Sequence, residues 1–71
     1  MKNENDLIYD LIFSTKTEYN IDISEYISDI YDYETFIKKM KVIMKRAKVK
    51  LFSEEVKLSS RSVIWVIKVK K

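Results

Sequence analysis

Residues 35–71 read TFIKKMKVIMKRAKVKLFSEEVKLSSRSVIWVIKVKK, and the spacing of the apolar side chains changes midway through them. Up to Lys48, the residues Phe36, Ile37, Met40, Ile43, Met44 and Ala47 recur at helical intervals and fall within about 120° of a helical wheel. Lys38, Lys39, Lys41, Lys45, Arg46 and Lys48 take the other side. Beyond Lys48 the period becomes two. Val49-Lys50-Leu51 and Val56-Lys57-Leu58 alternate, and Val63, Trp65, Ile67 and Val69 share one face of a β-branched run. The pattern predicts a basic amphipathic helix followed by two strands, joined through the polar loop Ser59-Ser60-Arg61-Ser62.

The preceding half contains weaker signals. Leu7, Ile8, Leu11 and Ile12 repeat at helical spacing after Asn3 and Asn5, either of which can cap a helix over residues 4–14, and Glu4 and Asp6 suit its positive end. From Ser14 to Ile21 this periodicity is lost and Thr15, Thr17 and Tyr19 alternate as a short strand would, which reads as a loop with at most a brief extended piece. Asp22-Ile23-Ser24-Glu25 resembles a capping box, and Ile23, Tyr26, Ile27 and Ile30 follow at i, i+3, i+4 and i+7, so a second short helix is expected over 23–31. Asp32 can then cap the basic helix. The expected fold is α+β, a single domain over residues 1–71 with three helices and a C-terminal two- or three-stranded antiparallel β-ribbon.

Composition restricts the chemistry. The 71 residues include no Cys, His, Gly or Pro, which removes disulfides, thiolate metal sites and the commonest general base. Stability must come from apolar packing, for which the 46% hydrophobic content suffices. Val63 to Ile67, the longest apolar run, is far short of the roughly 20 residues that span a bilayer, and the acidic N-terminus does not resemble a signal peptide. A cytoplasmic protein without cofactor, metal or membrane attachment is the expectation. Catalysis finds no support, since Asp29 with Asp32 reads as a cap and Glu54 with Glu55 as a polar turn.

Charge is divided along the chain. Residues 1–35 carry nine acids against Lys2 and Lys16, a balance of −7, whereas residues 36–71 carry twelve bases against Glu54 and Glu55, a balance of +10. Asymmetry of this size is an argument about partners more than about fold. Three helices, a short break before the third, and a ribbon with a basic tip are the order of parts in a winged helix-turn-helix, and the architecture is winged-helix-like in that sense. The resemblance implies double-stranded DNA as partner and a regulatory role, with the third helix in the major groove and the ribbon loop on neighbouring phosphate. Lys38, Lys39, Lys41, Lys45, Arg46, Lys48 and Arg61 are the candidate contacts, with Lys68, Lys70 and Lys71 near the DNA backbone. Lysines mostly neutralise phosphates, so affinity is easier to derive than sequence specificity.

A rival reading starts from the acidic half, which holds all five tyrosines. Asp22, Glu25, Asp29 and Asp32 would form a ridge along the second helix, and Asp22, Glu25 and Asp29 with Tyr31 and Tyr33 would suit a protein partner with a basic groove. A phage- or plasmid-type inhibitor or adaptor has this character. A third reading is a homodimer, because Ile64 and Val66 make the last strand apolar on its outer face as well. Trp65, sharing a face with Val63, Ile67 and Val69, reads as core.

Overall fold

The computed structural model describes residues 2–71. The elements run α1 (Glu4–Phe13), β1 (Glu18–Asp22), α2 (Tyr33–Arg46), β2 (Lys50–Leu58) and β3 (Val63–Lys70). Two α-helices thus accompany one three-stranded antiparallel sheet of order β1-β3-β2, an α+β fold. The apolar alternation of β3 explains its central place. Val63, Trp65, Ile67 and Val69 are buried beneath the helices, while Ile64 and Val66 on the opposite face are half-buried and Lys68 and Lys70 are exposed.

The expected second helix over 23–31 does not form, so the three-helix expectation is corrected to two. The segment makes two separate 3-10 turns, Ile23–Glu25 and Ile30–Asp32. The physical reason lies in the local polar groups. The Asp22 carboxylate accepts from the Ser24 backbone N–H at 3.1 Å and also from the Ser24 hydroxyl, and Asp29 accepts from the Tyr31 N–H at 2.9 Å. Each aspartate starts its own turn, and such local bonds compete with a continuous helix. Asp29, which has no place in a helix-dipole account of the segment, is therefore a cap. Asp32 precedes α2 but makes no side-chain cap.

Residues 14–17 are a loop, and the brief extended piece expected before Ile21 is a strand. Glu18–Asp22 is a full edge strand paired with β3, with Tyr19 opposite Ile67 and Ile21 opposite Trp65. Both Tyr19 and Ile21 are buried. Pairing continues past the strand end, where the Val69 N–H donates to the Thr17 carbonyl at 2.8 Å. Tyr19 and Ile21 alternate with the polar Glu18, Asn20 and Asp22 at the strand period of two, but two apolar residues make a short signal, and pairing with β3 decides it.

One cluster forms the core: Leu7 and Leu11 of α1, Phe36, Ile37, Met40 and Met44 of α2, Tyr19, Ile21 and Ile23, and the inner face of β3. Trp65 is fully buried there, as its spacing predicts, and its indole Nε1 has no hydrogen-bond partner. Met40 is likewise fully buried, whereas Ile43 is only partly so. Tyr26 stacks on Phe36 with centroids 5.7 Å apart. Among the described residues no helix is long and apolar enough to cross a membrane.

Candidate nucleic-acid interface

The helix α2 sorts its cations by position around its axis. Phe36, Ile37, Met40 and Met44 face the core, which leaves Thr35, Lys38, Val42, Lys45 and Arg46 on the solvent side, all of them exposed. The flanks are occupied. Lys39 reaches Glu4 of α1 at 2.8 Å, and Lys41 reaches Glu54 of β2 at 2.6 Å. Both ammonium groups are partly neutralised by bridges that tie the helix to its neighbours. Lys38, Lys45, Arg46 and Lys48 have no carboxylate within salt-bridge distance among the described residues.

The end of α2 brings more bases together. The helix closes in a Schellman arrangement: the Lys48 N–H donates to the Lys45 carbonyl at 3.1 Å and the Val49 N–H to the Met44 carbonyl at 2.8 Å. This geometry places Lys48 in the left-handed region at φ 61°, a position glycine ordinarily fills and which this glycine-free chain gives to lysine. The turn folds Lys48 and Lys50 back beside Lys41 and Lys45. These four lysines line a groove of about 620 Å³ whose floor is Met44, Val49 and Leu51. Of the four, only Lys41 is paired with an acid among the described residues.

Arg61 stands apart from this group. It lies exposed in the β2–β3 turn, where the Ser59 hydroxyl accepts from the Ser62 N–H at 3.1 Å and holds the loop closed without glycine. Ser59 and Ser60 border Ile30, Tyr31 and Tyr33, so the loop stands at the start of α2 while the lysine groove stands at its end. A helix of 14 residues separates them by about 20 Å. Sequence reading missed Lys50, because it was assigned to a strand; its proximity to Lys48 across a helix-ending turn is the signal that could have found it.

The cations of β3 have structural partners. Lys68 pairs with Glu18 at 3.3 Å. Lys71 donates to the carbonyl oxygens of Asp10 and Ser14 at the end of α1, and to the Tyr19 hydroxyl at 2.9 Å. A cation at the negative end of a helix is favourable on dipole grounds, so Lys71 fastens α1 to the sheet.

The acidic residues form no helical ridge, since the helix that would carry it is absent. Asp22 and Asp29 cap turns, and Glu25 pairs with Lys2 at 2.7 Å. That partner, by hydrogen bond and charge, holds the Lys2 amine above its ordinary pKa of 10.5. Tyr33 is half-buried, Tyr9 lies outside the core against Phe13, and Tyr31 is 86% exposed. Asp29, Tyr31, Asp32 and Glu34 therefore cluster at the start of α2, opposite in position to the lysine groove.

The chain matches no family model, no curated protein and no solved structure.

Proposed function

We propose that this protein binds nucleic acid, with double-stranded DNA as the ligand, through the solvent face and the C-terminal end of α2. The observation that carries the reading is the groove lined by Lys41, Lys45, Lys48 and Lys50. Three of its four ammonium groups lack an acidic partner, and Lys38 and Arg46 extend the same positive surface along the helix. Clustered bases of this kind neutralise phosphates and release counterions on binding. The order helix, strand, helix, two-stranded hairpin supports a winged-helix-like arrangement in which two short turns take the place of the second helix, while Arg61 at the hairpin tip, beside the acidic start of α2, lies apart from the lysine groove.

The mode differs from the usual one in a way charge explains. Recognition helices commonly present their N-terminal residues to base edges. Here that end holds Asp29, Asp32 and Glu34, which repel phosphate, so contact centres on the other end of the helix. With Arg46 as the only residue on this helix suited to bidentate base reading, binding is expected to be weakly sequence-selective. The role is regulatory or architectural and needs no catalytic residue.

The test is binding to random duplex DNA by anisotropy across a salt series. Affinity should fall steeply with salt, and Lys45→Ala and Lys48→Ala should each reduce the logarithmic salt slope by about one unit. Lys39→Ala should change it little, because Glu4 already holds that ammonium group. Absence of binding at low salt would refute the proposal. A second reading, a protein partner with a basic groove, is favoured by one observation: Tyr31 is the most exposed of the large hydrophobic side chains among the described residues and is flanked by Asp29 and Asp32. Tyr31→Ala with Asp32→Lys would abolish such an interaction and leave DNA affinity no weaker.

A further inference from the structure

The sheet order leaves β2 as an edge, with β3 on one side and no strand on the other. Long free edges invite pairing with another chain, and proteins blunt them with bulges and charges. Here the bulge lies at one end only: the β2–β3 register slips between Leu51 and Ser53, which turns Phe52 outward to 68% exposure. From Glu54 to Leu58 the strand is regular, pairing residue by residue with Ile67 to Val63. That stretch is guarded by charge alone, and its charges are of opposite sign. Glu55 and Lys57 lie on the outer face, opposite Val66 and Ile64, and neither has an ion-pair partner among the described residues.

We propose that β2 pairs with β2 of a second copy, antiparallel about a two-fold axis at Val56, to make a continuous six-stranded sheet. The register follows from charge and from the pleat. A two-fold perpendicular to the sheet keeps the same faces aligned, so each residue meets one of equal parity. Centring the axis on Glu54 or Glu55 sets like acids against each other, and centring it on Lys57 sets lysine against lysine. Centring it on Val56 sets Glu55 opposite Lys57 of the second copy twice over, and Val56 against Val56. Directly opposed charges of unlike sign stabilise a strand pair, and like charges weaken it. None of the paired residues Glu54 to Leu58 lines the lysine groove, so the dimer and nucleic-acid binding are tested by separate variants. A contact of about five residues per strand is small, and the dimer is weak and concentration-dependent.

Sedimentation equilibrium over a concentration series up to about 1 mM tests this, a range that captures association as weak as about 4 kcal/mol. The wild-type protein should dimerise progressively. Glu55→Lys alone and Lys57→Glu alone should each weaken dimerisation by at least about tenfold, since each creates two like-charge pairs. The double variant E55K/K57E should recover the wild-type constant. Mixing the two single variants should give a heterodimer that neither forms with itself, which also shows that both are folded. A wild-type protein that stays monomeric throughout, a dimer indifferent to either reversal, or a double variant that fails to recover would overturn the proposal.

Discussion

Lys48 holds a backbone conformation that costs a non-glycine residue about 1–2 kcal/mol, and it does so at the one turn that gathers the lysine groove. Replacing it should separate stability from binding. Lys48→Gly is expected to raise unfolding stability by about 0.5–1 kcal/mol, the gain from relieving strain exceeding the entropy glycine adds to the unfolded chain. The same variant should bind DNA more weakly, because it loses a phosphate contact. Urea unfolding and anisotropy on one preparation would measure both, and a loss of stability would show that the Lys48 stem contributes packing that outweighs the strain. Nothing in the sequence marks this residue as strained; where a glycine-free chain places its left-handed residue depends on how the helix terminates.

At the level of elements, α2 was the most legible part of the chain. Its apolar arc of six residues and its basic counterface are long enough to override local ambiguity, and the helix spans Tyr33–Arg46 as the spacing predicts. The ribbon was legible for the same reason, through the alternation of Val63, Trp65, Ile67 and Val69. The 23–31 segment misled because Ile23, Tyr26, Ile27 and Ile30 have helical spacing, yet only Ile23 is fully buried, the other three pack partly against the core, and the chain makes two short turns, each started by its own aspartate. Of the candidate basic residues, the sequence could not reveal that Lys39 and Lys41 face acids on α1 and β2, since those contacts span 35 and 13 positions. Met40 marks where α2 is anchored. Met40→Ala should cost about 2–5 kcal/mol in denaturant unfolding, as expected for a fully buried side chain, and Ile43→Ala should cost less because that residue is only partly covered. Equal losses would mean that the helix is rotated about its axis relative to this structure.

For the whole molecule, two groups favour the folded state more strongly when protonated. Burial pushes the Tyr26 phenol above its ordinary 10.0, and Glu25 holds Lys2 above its ordinary 10.5. In both cases the folded state binds the proton more tightly than the unfolded chain, so the contribution is fully present below about pH 10 and is lost as pH rises through the folded values. The thermal midpoint should therefore decline as pH is raised beyond about 10, and Tyr26→Phe should soften the decline without abolishing it. A profile of the variant that overlays the wild type would assign the alkaline transition to other groups.

The central position of β3 governs the order of events when the chain is made. Neither β1 nor β2 pairs with the other, and every ladder in the sheet runs through Val63–Lys70, which follows both of them in the chain. Until β3 is available, the earlier strands have no partner, and the inner faces of the helices lack the Trp65 side chain that fills the core. Assembly of the sheet thus waits until β3 has emerged from the exit tunnel. A nascent chain arrested with only residues 1–58 outside the tunnel should be digested readily by a protease, and one in which β3 has emerged should resist it.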